Sequence, residues 1–378
     1  MSVKMETAAR AAAIARLAAQ WRDRGSPVRT RARELLADSI WPGPGVEVAL
    51  DNVVWDLDEA RCAEMCDAAG GSPATTLVFL PGNILGPAVQ SAFCAAIVGA
   101  RAILKASSAE RGLARAVAEQ FASADDLGAP LEIRDFRGGD VGEEASALAD
   151  SDAIVVFGED ETIAQIRARA GERPVTGYGE SYSVAFLSDG SDIGEAADLV
   201  ARDVCLFDQR GCMSPQTVYV AGDPGRALRF SHALAGAIRA NEIPRARFEA
   251  GEDALVSDFV RRLSATAMAP TPHGLDTLLL GPQRLGIPEF VVALEPFGQP
   301  VCAGFGRIVI VKPAPDARAV AAQLRYYGRS IETVACTPGT SEQERAAFRL
   351  TGARRLCALG EMQRPSFGYR PAIGDFCR

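Results

Sequence analysis

The chain has 378 residues, of which 48% are hydrophobic and 23% are charged, and its formal net charge is −8. This length is sufficient for two domains with buried cores, and the composition is typical of a soluble globular protein. The negative charge argues against nucleic acid or an anionic membrane surface as a partner, because both attract basic proteins. No apolar run reaches the roughly 18 to 20 residues that span a bilayer.

The N-terminal segment carries charges throughout and predicts an amphipathic helix. Its apolar face would consist of Ile14, Leu17, Ala18 and Trp21. Uncharged stretches such as residues 11–15 are too short for the core of a signal peptide. The nine cysteines are odd in number and irregularly spaced, which indicates free thiols in a reducing compartment. We therefore expect a cytoplasmic protein.

The sequence offers little for a metal site. Cys62 and Cys66 lie one helical turn apart, but no second cysteine pair or histidine cluster completes a ligand set. Packing within a helix is the simpler interpretation of that pair. His232 and His273 are the only histidines and lie in unrelated contexts, so neither a zinc site nor a histidine-based triad is expected.

The pattern of elements changes near residue 75. Residues 1 to about 70 predict helices, with a break at Trp41 to Gly45, "WPGPG". From Thr75 onward, short apolar strands alternate with helices of 10 to 15 residues, which predicts an α/β fold with a parallel sheet and helices on both faces. The predicted strands of this part are "TTLVFL", "RAILKAS", "PLEIRDF" and "AIVVFG".

Ligands of parallel sheets bind beyond the carboxyl ends of the strands. The loops of interest therefore begin at Pro81, Lys105, Gly138 and Gly158. The dinucleotide pattern G-x-G-x-x-G is absent after the first strand. The glycine-rich stretch at Gly138, "RGGDVGEE", is either a phosphate-binding loop or simply a tight turn.

A second alternation follows in the C-terminal half, with the helix "GEAADLVARDVCLF" and the strands "QTVYVAG", "FVVAL" and "RIVIVKP". We place a boundary near residue 210. The predicted domains are 1–209, 210–340 and a C-terminal segment 341–378. No internal repeat or low-complexity linker is present.

Cys212 lies in a turn between that helix and the following strand. Gly211 leaves room beside the sulfur for a substrate carbonyl, and Ser214-Pro215 prevents a helix from continuing. These features suit a nucleophilic thiol at a domain boundary, where clefts form. A structural cysteine in a loop is the ordinary alternative, because most cysteines are small buried hydrophobic residues. Cys205, on the apolar face of the preceding helix, is expected to be core.

Several motifs in order resemble the aldehyde dehydrogenase superfamily. "PGNILGP", a helix ending in glycine and "AILKASS" are similar to its Pro-x-Asn loop and lysine strand, and "AIVVFGEDETIAQI" to its Phe-Thr-Gly-Ser strand and helix. "DQRGCMSPQTVYV" is similar to its nucleophile turn. The Cys-x-Ser-Pro-Gln variant and "GARRLCALGEMQRPSFGYRPAIGD" resemble one branch, the acyl-CoA reductases related to the fatty acid reductase subunit of bacterial bioluminescence.

This resemblance implies an aldehyde dehydrogenase-like fold, with a Rossmann-type cofactor domain after the N-terminal helices and an α/β catalytic domain. It implies that Cys212 takes the acyl group from CoA as an enzyme thioester. Asn83 would donate its side-chain amide to the thioester oxygen, together with the backbone N–H of Cys212. From local residues alone, Asn83 is as well explained as a turn residue after Gly82.

The resemblance also implies a cofactor site. Lys105 would reach the adenosine ribose. Ser108, preceded by Ser107, stands where NAD-preferring relatives often carry a glutamate. The loss of that carboxylate favours the 2′-phosphate of NADPH, with NADH as the alternative. The remaining candidate cofactor residues are Gly138, Gly158, Glu159, which replaces the serine of Gly-Ser, and Glu295 of "LEPFGQPV", which would hold the nicotinamide ribose.

One departure from the superfamily bears on the product. "TGYGE" puts Thr176 at the position of the glutamate that activates water in acid-forming relatives, and Glu180 at the position of a lysine. Threonine is not a base near neutral pH, so water should attack the acyl-enzyme slowly. The change favours CoA-linked chemistry over hydrolysis.

We therefore expect an NADPH-dependent acyl-CoA reductase that releases a fatty or other aldehyde. The alternatives are an aldehyde dehydrogenase that forms the acid, and a non-catalytic subunit that binds an acyl group or nucleotide. The expected partners are the small-molecule acyl-CoA and other copies of this chain, since relatives usually associate. An acyl-transferring or aldehyde-consuming partner protein is a further candidate.

Overall fold

In the computed structural model the chain forms two compact units. Unit 1 comprises Met1–Ser39, Val46–Glu180 and Pro365–Arg378, and unit 2 comprises Ile40–Gly45 and Ser181–Arg364. The structure describes residues 7–69, 73–107, 110–124, 127, 130–249, 251–268, 277–284, 286–301 and 305–377.

The N-terminal residues are helical, as predicted. The predicted apolar face of the first helix is buried, with Trp21 and Ile14 fully inaccessible to solvent. The predicted break at Trp41 to Gly45 is wrong in part, because a helix begins inside it at Gly43. A proline in the first turn of a helix costs no hydrogen bond, since the N–H groups there have no intrahelical partner. These helices are α1 (Thr7–Arg22), α2 (Pro27–Leu36), α3 (Gly43–Asn52) and α4 (Glu59–Ala68).

The sheet of unit 1 has five strands in the order β3-β2-β1-β4-β5, and every neighbouring pair is parallel. Helices alternate with the strands because apolar runs of strand length are separated by amphipathic stretches. Gly99 ends α5 with a left-handed φ of 71°, as its position in the sequence suggested. The elements are β1 (Thr75–Phe79), α5 (Pro87–Val98), β2 (Arg101–Lys105), α6 (Arg111–Ala122), β3 (Leu131–Arg134), α7 (Val141–Ala149), β4 (Ala153–Phe157), α8 (Asp160–Ala170) and β5 (Val175–Tyr178).

The sheet of unit 2 has seven strands in the order β14-β13-β6-β7-β12-β11-β8. All neighbours are parallel except β8, which runs antiparallel to β11, and β9 and β10 form a separate antiparallel pair. The elements are β6 (Tyr182–Leu187), α9 (Ile193–Cys205), β7 (Pro215–Ala221), α10 (Pro224–Ala240), α11 (Glu252–Met268), β8 (Thr277–Leu280), β9 (Gln283–Arg284), β10 (Ile287–Pro288), β11 (Val291–Leu294), β12 (Ile308–Ala314), α12 (Ala317–Leu324), β13 (Ile331–Cys336), α13 (Glu342–Arg349) and β14 (Arg355–Ala358).

Alternate residues of β7 belong to two different cores, one on each face of its sheet. Val218 and Val220 pack in a cluster with side chains of α9 and α10, whereas Tyr219 and Ala221 pack with side chains of α12 and α13. Both faces are therefore covered, which explains why the strands are apolar throughout rather than alternating with polar residues. Cys205 is buried in the first of these cores, as predicted.

The predicted α/β fold with parallel sheets is confirmed. The assignment of cofactor binding and catalysis to residues 1–209, 210–340 and 341–378 stays a prediction. Among the helices of the described ranges, none is both long and apolar enough to cross a bilayer.

Candidate active site

The Cys212 turn lies immediately before β7, at the end of the seven-stranded sheet where the parallel strands begin. Cys212 itself is half-buried. Its carbonyl oxygen accepts a hydrogen bond of 2.7 Å from Oγ of Ser183, which belongs to the neighbouring strand β6. Ser183 Oγ in turn accepts 3.1 Å from the N–H of Thr333 in β13. The fully buried Ser183 therefore ties the turn to the start of two strands.

The backbone before Cys212 adopts an uncommon conformation. Asp208 and Gln209 have φ values of 48° and 60°, in the left-handed region that costs a residue with a side chain on the order of 1 kcal/mol or more. The amide of Gln209 donates to the carbonyls of Pro215, at 2.8 Å, and Ile308, at 2.9 Å. These two bonds hold the turn closed against that local strain.

Asp208 fixes the same turn from its other side. Its carboxylate accepts from Arg307 Nε at 2.5 Å and from the N–H of Ala246 at 2.8 Å. Its carbonyl accepts from the N–H of Gly306 at 2.7 Å, so the Phe305-Gly306 pair lies at the same end of the sheet as Cys212. Sequence reasoning missed this buried ion pair, since its members are 99 positions apart.

The C-terminal part of unit 2 also braces the turn. Gln363 Nε2 donates to Ser214 Oγ at 2.7 Å and to the carbonyl of Asp203 at 3.2 Å. The carboxylate of Asp203 accepts from the N–H groups of Gly360, at 2.7 Å, and Met362, at 3.1 Å. Burial raises the pKa of Asp203 to about 7, although these two bonds favour the ionised form. The C-terminal sequence that resembles the acyl-CoA reductases therefore contacts the residues around Cys212.

Other thiols of the described chain are poor candidates for a nucleophile. Burial raises the pKa of Cys205, Cys336 and Cys357 to about 12, so these groups stay protonated at neutral pH. Cys62 and Cys66 both lie within α4 and are buried, in keeping with the packing interpretation. His273 lies outside the described residues.

The candidate catalytic residue Asn83 and candidate cofactor residues of unit 1 lie at one edge of its sheet. Asn83 follows β1, Lys105 ends β2, Gly138 follows β3 and Gly158 follows β4. Because these four strands are parallel, their carboxyl ends share an edge, where ligands of such sheets bind. Asn83 and Gly158 are both exposed there.

The surroundings of Lys105 contain an aromatic ring and charged side chains of both signs. Its ammonium lies 5.6 Å from the centre of the Phe136 ring, and burial lowers its pKa. The carboxylates of Asp135 and Glu144 raise that pKa, and the guanidinium of Arg111, which pairs with Asp135 at 2.8 Å, lowers it. Two basic side chains therefore lie among acidic ones at this edge. Ser108, a predicted cofactor residue, lies outside the described residues.

The other predicted cofactor residues offer different groups to a ligand. They are Ser107, Gly158 and Glu159. The hydroxyl of Ser107 donates to the carbonyl of Pro81, so it is already used within the protein. Gly158 is exposed, and a Cβ added there would meet only Thr162, at 3.7 Å. Glu159 is the first residue before α8, and its exposed carboxylate caps no backbone N–H. A phosphate at that helix would face a like charge, so its role in cofactor binding stays a prediction.

Glu295 lies far from Cys212 within unit 2. It follows β11 at the carboxyl end of that strand, whereas Cys212 precedes β7. The strand register puts Glu295 level with Tyr219 of β7. Four residues of strand, about 13 Å, separate Tyr219 from Pro215 at the other end. The structure does not bring these two candidates together, and the predicted role of Glu295 at a nicotinamide ribose stays a prediction.

Thr176 lies within β5, where it pairs with Val155 of β4 and is half-buried. The following loop is held by a bond of 3.3 Å from the N–H of Glu180 to Asp160. The "TGYGE" motif is therefore mostly a strand at the edge of the five-stranded sheet, with Glu180 exposed beyond its end.

Comparison with known families decides the affiliation of the chain. The family model described as acyl-CoA reductase (LuxC) matches residues 57–370. The chain belongs to the LuxC family. The matched span contains Asn83, Lys105 and the whole Cys212 turn, and the resemblance inferred from those motifs is confirmed.

Named relatives of this LuxC-family chain are reductases. The long-chain acyl-protein thioester reductase of Photorhabdus laumondii is 26% identical over 288 residues, which are 74% of this chain and 57% of the relative. The long-chain acyl-protein thioester reductase 2 of Photobacterium leiognathi is 26% identical over 149 residues, 38% of this chain and 31% of the relative. The match thus spans from about a third to little more than half of these relatives.

Solved structures agree with the fold. Aldehyde dehydrogenase 21 from Physcomitrella patens has a TM-score of 0.74 at 14% identity, covering 99% of this chain and 85% of its own. An NADP-dependent glyceraldehyde-3-phosphate dehydrogenase from Bacillus halodurans has a TM-score of 0.71 at 15% identity, covering 98% and 85%. At such identities the likeness establishes an aldehyde dehydrogenase-like fold and nothing finer.

Proposed function

We propose that this LuxC-family chain reduces the acyl group of an acyl-CoA to an aldehyde through a thioester on Cys212. The observation that carries the proposal is a half-buried thiol in a braced, left-handed turn that lies within the LuxC match. Strained backbone held by surrounding contacts is a recurring property of active sites, because it fixes a reactive group in one position.

In the first half-reaction, the thiolate of Cys212 attacks the thioester carbonyl and expels the thiolate of CoA. Negative charge develops on the carbonyl oxygen during this step. The family resemblance assigns the donors to that oxygen as the backbone N–H of Cys212 and the side-chain amide of Asn83. One such donor typically contributes about 2.7 to 4 kcal/mol to the transition state.

In the second half-reaction, the acyl carbon on Cys212 is reduced to a hemithioacetal. NADPH, which Lys105 would help to hold, would supply the hydride for this step. The oxyanion then expels the thiolate of Cys212, which restores the nucleophile and releases the aldehyde. Thr176 offers no base for water, so hydrolysis of the acyl-enzyme stays slow and the acyl group is kept for reduction.

NADPH is favoured over NADH by charge. Lys105 and Arg111 place two cations at the carboxyl edge of the five-stranded sheet, and the family's glutamate is replaced by Ser108. A 2′-phosphate would gain from these two cations, because it adds a strong acceptor group with about two negative charges. The carboxylates of Asp135 and Glu144, which also act on Lys105, oppose part of that gain.

Two thioester donors are named among the similar proteins: the family description specifies acyl-CoA, and the relatives' names specify an acyl-protein. Both donors present the same thioester carbonyl to Cys212, so the chemistry of the enzyme is common to them. We take acyl-CoA as the donor. An acyl-protein donor would make an acyl-transferring protein a partner of this chain.

The test mixes the chain with acyl-CoA substrates of graded length and NADPH, and measures NADPH oxidation and the carbonyl product. We expect aldehyde from the wild type and no turnover from Cys212→Ala. Cys377→Ala is the matched control, since Cys377 is a half-buried thiol of unit 1 outside the proposed site. It should retain wild-type activity.

Three results would overturn the proposal. Rapid formation of acid without NADPH consumption would identify a hydrolytic enzyme. Full activity of Cys212→Ala would exclude the acyl-cysteine route. No NADPH oxidation with any acyl-CoA or with an acyl-protein donor would favour the binding-subunit alternative.

A further inference from the structure

Glu110 is a buried carboxylate that none of the proposed catalytic steps uses. It is fully inaccessible to solvent and lies just before α6, five positions after Lys105. Its two oxygens accept hydrogen bonds of 2.7 Å from the N–H groups of Gly86 and Ala88. Burying a carboxyl group lowers the stability of the fold unless its oxygens find hydrogen-bond partners, as they do here.

Those bonds satisfy the start of α5. Residue 87 is a proline and has no N–H, and Gly86 and Ala88 carry two of the N–H groups that have no partner within the helix. Gly86 has a φ of 128°, a conformation open only to glycine in practice. The loop from Pro81 to Gly86 therefore ends at a point that Glu110 fixes.

The other end of the same loop is fixed from the same segment. The hydroxyl of Ser107 donates to the carbonyl of Pro81 and accepts from the N–H of Glu110 at 3.2 Å. The N–H of Leu80 donates to the carbonyl of Lys105 at 3.1 Å. Ser107 and Glu110 therefore hold the two ends of the loop that contains Asn83, at Pro81 and at Gly86.

We propose that Glu110 is a positioning residue that sets the Asn83 loop and the Lys105–Ser107 segment in one arrangement, so that thioester polarisation and NADPH binding depend on the same carboxylate. This inference rests on the proposed function of Asn83 and Lys105. Glutamate suits the task because both of its oxygens accept from these two N–H groups. Glutamine would present one acceptor and one donor, and alanine neither.

The test compares Glu110→Gln and Glu110→Ala with Glu119→Gln, which changes an exposed carboxylate of the same helix α6. Three quantities are measured: the rate and amplitude of acyl-enzyme formation on Cys212, the Kd of NADPH by fluorescence titration, and hydrogen exchange in peptides covering residues 81–90. Asn83→Ala and Lys105→Ala serve as references for loss of one function at a time.

We expect Glu110→Ala to slow acylation about 10- to 100-fold, as a displaced catalytic group does. We expect it also to weaken NADPH binding about fivefold or more, a typical coupling between sites. Glu110→Gln should lie between wild type and alanine in both quantities. Asn83→Ala should change only acylation, and Lys105→Ala only NADPH binding. Exchange at residues 81–90 should accelerate in both Glu110 variants and not in Glu119→Gln.

A merely structural role would lower the amplitude of acylation, which counts competent sites, and leave the rate per competent site and the Kd unchanged. That outcome in Glu110→Gln would overturn the inference, as would wild-type exchange at residues 81–90. If the wild type forms no acyl-enzyme, the proposed function fails, and Kd and exchange still decide whether Glu110 couples the two segments.

Discussion

Buried carboxylates with backbone partners are the residues that organise both candidate sites. Glu110 in unit 1 and Asp203 in unit 2 each accept two backbone N–H bonds. Those bonds favour the ionised carboxylate, whereas burial favours the protonated one, and burial prevails. The pKa rises to about 8 for Glu110 and to about 7 for Asp203.

This raised pKa makes stability depend on pH. The pKa of Asp203 is about 4 in an unfolded chain and about 7 in the folded one, so folding strengthens proton binding. Its contribution to the free energy of unfolding is full below pH 4 and is lost as the pH rises to about 7, with an upper limit of about 4 kcal/mol. Asparagine does not titrate, so Asp203→Asn should lack that part of the decline.

Urea unfolding of wild type and Asp203→Asn across this pH range measures the difference directly. Asp198→Asn, an exposed change in the same helix α9, is the control and should follow the wild type. If the free energy of unfolding declines equally with pH in Asp203→Asn and in the wild type, the pKa of Asp203 is the same in the folded and the unfolded chain.

Residues of this supporting kind could not be predicted from the sequence, whereas the turn at Cys212 could, and its catalytic role stays a prediction. Cys212 stands in a motif whose neighbours are contiguous, and Gly211 and Ser214-Pro215 suggest its turn. Asp203 meets a partner 157 positions away, and nothing in its helix distinguishes it from an exposed aspartate. Pairings across such separations depend on the tertiary fold.

At the scale of elements, the turn between α9 and β7 combines strain with unusually complete hydrogen bonding. Left-handed residues are expected to be glycine or asparagine, and the sequence here has Asp208 and Gln209. Their side chains explain the choice, because glycine would relieve the strain and remove the bonds to Pro215, Ile308 and Arg307. The strands and helices around the turn follow from apolar periodicity, but this conformation does not.

Gln209→Ala should destabilise the fold and loosen the turn. It leaves the buried carbonyls of Pro215 and Ile308 without the amide donor, and each lost bond of this kind costs about 1 to 3 kcal/mol. The free energy of unfolding should fall by about 2 kcal/mol or more, and kcat should fall with it. Gln165→Ala, on the exposed side of α8, should change neither. Chemical denaturation and steady-state kinetics measure both effects, and an unaltered stability would mean that water replaces the amide.

On the scale of the molecule, the order of motifs predicted the family and fold, while the division of the chain did not follow from it. Unit 2 takes Ile40–Gly45 as well as Ser181–Arg364, and the last residues return to unit 1. There Asp375 accepts 2.7 Å from the hydroxyl of Tyr178, and Pro73 bridges to Cys377. A terminal segment that contacts residues roughly 200 to 300 positions earlier leaves no periodic signal in the sequence.

The proposed cofactor should stabilise the whole molecule in proportion to its affinity. A ligand at about 100 times its Kd adds about 2.7 kcal/mol to the free energy of unfolding, enough to raise Tm by several degrees. NADPH should therefore protect more than NADH at equal concentration, because only NADPH carries the 2′-phosphate proposed to bind Lys105 and Arg111. Arg111→Ala should reduce the advantage of NADPH about tenfold in Kd, while Arg115→Ala, exposed on the same helix, should keep it. Thermal denaturation with each nucleotide measures this advantage. Equal protection by NADH and NADPH in the wild type would contradict the predicted preference for NADPH.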